Sequence, residues 1–228
     1  VKSNRLVLFL MSDLHIGASN FDKELFHKHA SQALKENARI LINGDIFDAI
    51  TITDPRFGLE CLDRQLRNCS DILGKSLEYA ENILKKYAKN VDLLGSGNHE
   101  QKINEKYNLD MIRMLTLNLR RINDKIQYGG YSGVICYKFN NGSELNIMYH
   151  HGWGAAVKTR GLSHFDHLSS LFENIDVFWL GHLHTQSILP FKKVKIVDGQ
   201  LLEKNGFFIR SGSYYTNIAP NRDPLGQG

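Results

Sequence analysis

Five short runs of this 228-residue chain concentrate the residue types that ligate metals. They are Ser12-Asp13-Leu14-His15, Gly44-Asp45-Ile46-Phe47-Asp48, Gly97-Asn98-His99-Glu100, His150-His151-Gly152 and Gly181-His182-Leu183-His184. Together they supply oxygen and imidazole ligands for two adjacent divalent cations, with almost nothing left over. Two cations roughly 3.5–4 Å apart are a recurring device for hydrolysing phosphate esters. A mixed carboxylate and imidazole set suits manganese, iron or zinc, whereas magnesium and calcium prefer all-oxygen shells.

Each run offers a particular chemistry. Asp13 and His15 are two apart at the end of an apolar run, so a strand there aims both to one face and a following turn brings both to one metal. Asp45 follows Gly44, whose backbone freedom permits a sharp turn, and its two oxygens can bridge two cations. Asp48, three residues on, is better placed to orient a histidine than to reach a metal. Asn98 offers a neutral amide oxygen, and His99 beside it is a candidate to protonate a departing oxygen. A glycine-rich turn with a helix N-cap at Asn98 explains the glycines and the asparagine but leaves the histidine unexplained. His182 and His184 can each bind one of two neighbouring metals, and His151 closes the set, neutral imidazole being the commonest nitrogen ligand. Trp153 and Arg160, with Lys158 and His164 nearby, follow the His151 loop and are candidates for substrate contact.

Elements must position these groups. Apolar, β-rich runs lie at Leu6–Met11, Arg39–Asn43, Val91–Leu94, Val134–Phe139, Leu145–His150, Val177–Leu180 and Phe207–Arg210. Several are too continuous for strands with one wet face and predict a sheet covered on both sides. Helical patterns cover Asp22–Asn37, Leu59–Lys89 as one long helix or two, Asn104–Leu119 and Ser163–Glu173. Asn140-Asn141-Gly142 predicts a hairpin turn. The first half alternates strand and helix while the second has strands in succession, which predicts an α/β protein whose sheet becomes mixed or doubles up. Every cluster follows the C-terminal end of a predicted strand, where open α/β sheets place their ligands.

The composition is that of a globular protein, with 42% hydrophobic and 23% charged residues. No apolar run approaches the roughly 20 residues needed to span a bilayer. We read 1–228 as one domain; its ends, at Val1 and Pro224-Leu225-Gly226-Gln227-Gly228, suit a processed chain or a domain excised from a longer one. Cys61, Cys69 and Cys136 form no C-x-x-C pair and are odd in number, which argues for a reducing, cytoplasmic setting and for buried, small apolar roles. The net charge of +4 includes local basic clusters at Lys85-Lys86, Arg120-Arg121 and Lys192-Lys193 with Lys195. These make nucleic acid a candidate partner without requiring one.

The five motifs, taken in order from Asp13 to His184, resemble those of the calcineurin-like metallophosphoesterases. The resemblance implies a four-layer α/β/β/α sandwich of two mixed sheets flanked by helices, with a dinuclear centre at the strand ends. It implies that Asp13, His15 and His184 hold one metal and Asn98, His151 and His182 the second, with Asp45 bridging both. His151 rather than His150 is the match, because the family motif places its ligand directly before the glycine. His99 matches the catalytic histidine that is not a ligand, and Asp48 the carboxylate paired with it. The implied reaction is hydrolysis of a phosphodiester, or a monoester, by attack of a hydroxide held between two divalent metals, manganese first and iron or zinc next.

The chain departs from two branches of the family. Serine/threonine protein phosphatases follow the second aspartate of this motif with a phosphate-binding arginine, where this chain has Ala49. The lipid A precursor pyrophosphatases place an arginine where His99 stands. The Asn98-His99 pair looks more like the phosphodiesterase and repair-exonuclease branches. A different class of reading is a catalytically silent member serving as a protein-binding scaffold; such relatives lose ligands, and here all are present.

Overall fold

In the computed structural model, which describes residues 5–51, 54, 57–154, 162–197 and 199–216, the apolar runs resolve into strands that feed two cores at once. The first sheet holds β1 (Leu8–Met11), β2 (Arg39–Ile42), β3 (Val91–Gly95) and β4 (Gln127–Gly130), in that order and wholly parallel. The second holds β5 (Ser132–Lys138), β6 (Glu144–His150), β7 (Val177–Leu180), β8 (Ser187–Val197) and β9 (Gln200–Arg210). Its order is β5-β6-β7-β9-β8, with β6, β7 and β9 parallel and the two outer strands antiparallel to their neighbours. Only the second sheet is therefore mixed.

Alternation along each strand explains why the runs are apolar throughout. Ile40, Ile42 and Leu94 face a helical layer, while Leu41 and Leu93 face the other sheet. On the second sheet, Ile147, Tyr149 and Trp179 join that inter-sheet core, while Met148, Phe178 and Leu180 pack outward with Phe165 and Leu168. The layers are thus α/β/β/α. Helices α1 (Lys23–Lys35), α2 (Ile72–Leu84), α3 (Asn98–Tyr107) and α4 (Met111–Leu119) cover the first sheet, and α5 (Leu162–Leu171) covers the second.

Local chemistry sets the helix ends and corrects two expectations. Leu59–Lys89 is not helical from its start: a 3-10 turn at Leu59–Cys61 is followed by turns, and α2 begins only after Asp71, whose carboxylate accepts the Gly74 N–H at 2.9 Å. Asn104–Leu119 is two helices, because Asn108 adopts the left-handed conformation at the end of α3 and Asp110 caps α4 through the Arg113 N–H. The hairpin at Asn140-Asn141-Gly142 joins β5 to β6, with Gly142 at φ +83°.

The sequence reading missed two strands. β4 is short, polar and glycine-rich, and β8 carries Pro190 and lysines; both lie at sheet edges, where such residues are tolerated. The cysteines also differ from expectation. Cys136 is exposed because it stands on the outward face of edge strand β5, Cys61 and Cys69 are half-buried, and all three are free. No helix among the described residues is long and apolar enough to cross a membrane.

Candidate metal centre

The five clusters converge because each lies just past the C-terminal end of a strand, and three of them turn there through conformations that the backbone does not adopt cheaply. Asp13, His15, Asp45, His182 and His184 all have positive φ, between +47° and +71°. For residues with a side chain this region costs of order 1–3 kcal/mol, and it persists only where surrounding structure enforces it. Gly44, at φ +73°, is required by crowding as well: a Cβ there would stand 2.5 Å from His151 Nδ1. Gly97 passes so close to Asp45 that a Cβ would lie 2.1 Å from its Oδ1.

Two groups of donors result, Asp13 with His15 and His184, and Asp45 with His151 and His182, and Asp45 stands beside the first group as well. In the first, His15 Nε2 lies 3.3 Å from His184 Nε2, His184 Nε2 lies 3.4 Å from Asp13 Oδ1, and His15 Nε2 lies 4.0 Å from Asp45 Oδ2. In the second, His151 Nε2 lies 3.2 Å from Asp45 Oδ2 and 3.1 Å from Asn98 Oδ1. His182 offers a ring nitrogen to the same group and sets its Nε2 3.1 Å from the Gly154 carbonyl. With metal–ligand bonds of 2.0–2.2 Å, neighbouring ligands stand about 2.8–3.6 Å apart, so all but the longest of these separations are edges of a coordination shell.

The protonation pattern supports a cation more than a closed hydrogen-bond network. His151 Nδ1 donates to the Asn43 carbonyl at 3.0 Å, which leaves Nε2 facing two oxygens that can only accept. Either a second proton or a cation must satisfy that arrangement. Burial opposes the imidazolium, but the Asp45 carboxylate outweighs it and raises His151 to about 9. Asp45 shows the reciprocal effect: burial opposes its charge, yet His151, His99 and His15 hold it well below the usual carboxylate range. Burial also disfavours the charged form of His184, and Asp13 outweighs it, raising the pKa. Two buried carboxylates ringed by imidazoles form a donor set suited to binding metal.

Around the donors stands a layer that orients them. Asp13 Oδ2 accepts from Ser12 Oγ, and both Asp13 oxygens face the His182 N–H at 3.0–3.1 Å. Ser12 Oγ is 2.7 Å from Ser211 Oγ, which accepts from Trp179 Nε1 at 3.0 Å. Asn43 donates to the His150 carbonyl at 2.9 Å, tying the two sheets together beside the centre.

Asp48 and His99 meet in a way that motif reading did not specify. His99 Nδ1 donates to the Asp48 backbone carbonyl, while the Asp48 carboxylate is 3.8 Å from that nitrogen and 3.3 Å from His15 Nδ1. His99 consequently turns Nε2 toward Asp45, 4.0 Å from its Oδ2. The trio of His15, Asp48 and His99 is close enough to suggest a third cation site, but His99 Nδ1 carries the proton it donates and is no ligand there.

Glu100 is the contributor that sequence reasoning overlooked. Its buried carboxylate accepts the backbone N–H groups of Asp45, Phe47 and Gly97 at 3.1, 2.8 and 2.8 Å, clamping two site loops together. Burial first and the Asp45 charge second push its carboxyl up to about 7. The detectable signal is spacing, since Glu100 is the third residue of a helix capped at Gly97.

Of the remaining candidates, His150 turns away from the centre: its Nδ1 accepts the Gly152 N–H and its ring packs 4.8 Å from Trp153. Trp153 in turn lies 4.2 Å from the buried His164 ring. Arg160 and Lys158 lie outside the described residues.

No protein-family model matches the chain, and no curated protein matches it. Among solved structures, it is similar to a conserved uncharacterized protein, a predicted phosphoesterase, from Streptococcus pneumoniae. That match has a TM-score of 0.37 and 13% identity over 90% of this chain and 71% of the other. A Thermotoga maritima protein solved by NMR matches with a TM-score of 0.31 and 18% identity, over 59% of this chain and 73% of that one. Both similarities are remote.

Proposed function

We propose that this chain is a metal-dependent phosphoesterase of the calcineurin-like type that favours phosphodiesters over phosphoproteins. The observation that carries the proposal is His151 Nε2, buried between Asp45 and Asn98 with two acceptor oxygens in front of it. In this reading Asp13, His15, His184 and Asp45 hold one divalent cation, and Asp45, Asn98, His151 and His182 hold the other. Two such cations supply charge neutralisation on the phosphoryl oxygens and lower the pKa of the attacking water toward neutrality. Manganese is the first candidate, with iron and zinc next.

The chain's own residues do the rest. His99, with Nδ1 engaged by the Asp48 carbonyl, holds Nε2 over the centre and in its protonated form passes that proton to the leaving oxygen. Asp48 and Glu100 position rather than react: one holds the His99 ring through its carbonyl, the other the loops that carry Asp45 and Asn98. Ala49 supplies no cation of its own, which is why phosphodiesters are favoured over the monoesters of phosphoproteins.

The test is hydrolysis of bis(p-nitrophenyl) phosphate and p-nitrophenyl phosphate in manganese, iron and zinc, with Asn98→Ala as the control. Metal-dependent turnover that favours the diester and is lost in the control is expected. Turnover without metal, or undiminished in Asn98→Ala, would overturn the assignment.

A further inference from the structure

A cavity of about 430 Å³ lies beside the centre, lined by Asp48 and His99 and extending along α3. Lys102, Lys106 and Tyr107 of α3 line it together with Ala49 and Thr51. Positions 99, 102 and 106 fall on one stripe of the helix, three and four residues apart. Lys102 therefore stands about 4.5 Å further along the axis than His99, and Lys106 about 10.5 Å. Lys106 lies against the Tyr107 ring at 5.5 Å, and the Tyr107 hydroxyl is 3.3 Å from Thr51 Oγ1. Lys102 is exposed and makes no hydrogen bond or ion pair among the described residues.

Resting on the phosphoesterase reading above, we infer that Lys102 is a substrate-positioning residue for a phosphate that the leaving group itself carries, as a nucleotide's does. Three observations combine. The cavity begins at His99, the group that would protonate the leaving oxygen, and so offers room to what departs. A leaving nucleotide can bring its next phosphate within reach of Lys102 and set a base beside the exposed Tyr107, neither of which a simple alcohol can do. The cavity also contains Asp54 and Glu105, so it is no general trap for anions. Recognition is by a point contact at Lys102, which selects one placed phosphate rather than total charge.

The experiment compares the thymidine dinucleotide TpT with pTpTp, which carries a phosphate at both ends. Whichever ester bond breaks, the leaving nucleoside of pTpTp bears a phosphate and that of TpT does not. Cleavage of the internal diester is followed by chromatography in manganese, with bis(p-nitrophenyl) phosphate alongside. The wild type is expected to prefer pTpTp by about tenfold in kcat/KM, mostly through KM, the size of one charge-assisted hydrogen bond. Lys102→Ala should bring that ratio to about one, and Lys102→Arg should restore it. A ratio that survives in Lys102→Ala, or a wild type with no preference, overturns the inference. Turnover of bis(p-nitrophenyl) phosphate with no cleavage of either dinucleotide overturns it while leaving phosphoester chemistry intact. Failure on all three substrates overturns both.

Discussion

Asp45 and Glu100 hold each other's loops in place through the backbone. The Asp45 N–H donates to Glu100 Oε2 at 3.1 Å, and Asp45 Oδ1 accepts from the N–H of His99, the neighbour of Glu100, at 3.0 Å. The proposed shared metal ligand and the proposed acid are thereby positioned by one another. Glu100 thus braces the proposed site with a carboxylate wholly engaged by backbone donors.

Replacing Glu100 by Gln tests that coupling. An amide keeps one acceptor oxygen but turns an NH2 toward backbone donors, so buried N–H groups lose a partner. Destabilisation of about 1–3 kcal/mol by urea unfolding is expected, together with weaker metal binding in calorimetry. Wild-type stability in the variant would show that the three bonds are dispensable.

His99→Ala should leave metal content intact and lower kcat by about 10²–10⁴, the usual share of general acid catalysis. Elemental analysis and steady-state kinetics on the same preparation decide it. A variant that turns over normally would remove His99 from the mechanism. A variant that loses metal would make it a ligand.

Asp45→Asn should lose both cations, because in the proposed reading both are held by this carboxylate. In the wild type, saturating metal at about 100 times Kd should add roughly 2.7 kcal/mol of stability. The variant should show no such rise in melting temperature, with circular dichroism confirming that it folds. Full occupancy of two metals in Asp45→Asn would contradict the shared-ligand assignment.

Tyr137→Phe serves as a control remote from the chemistry. The Tyr137 hydroxyl donates to Asp92 Oδ2 at 2.8 Å, and Asp92 also accepts from Arg39 Nε at 2.9 Å, so strands of both sheets are joined there. Loss of the hydroxyl should cost about 0.5–1.5 kcal/mol in unfolding without changing metal affinity. A matching loss of metal affinity would mean that sheet packing, rather than the strand-end turns, sets the donor geometry.

The donor types and their places at strand ends were legible in the sequence, because each motif is local. An apolar run announces a strand, and the aspartate or histidine a few residues later is carried to the same edge as every other. The alternation that buries Leu41 against one layer and Ile40 and Ile42 against another is likewise written in consecutive residues. Tertiary structure alone decided the rest. His15 meets His184 across 169 positions, Asp48 reaches His99 through its carbonyl rather than its carboxylate, and Glu100 gathers three backbone donors. Strands β4 and β8 emerged only as edges supplied by their neighbours. Hydrophobic period records which face of an element is buried, a property of adjacent residues. Distances of 3 Å between side chains depend on strand register and turn conformation, which packing between distant segments imposes.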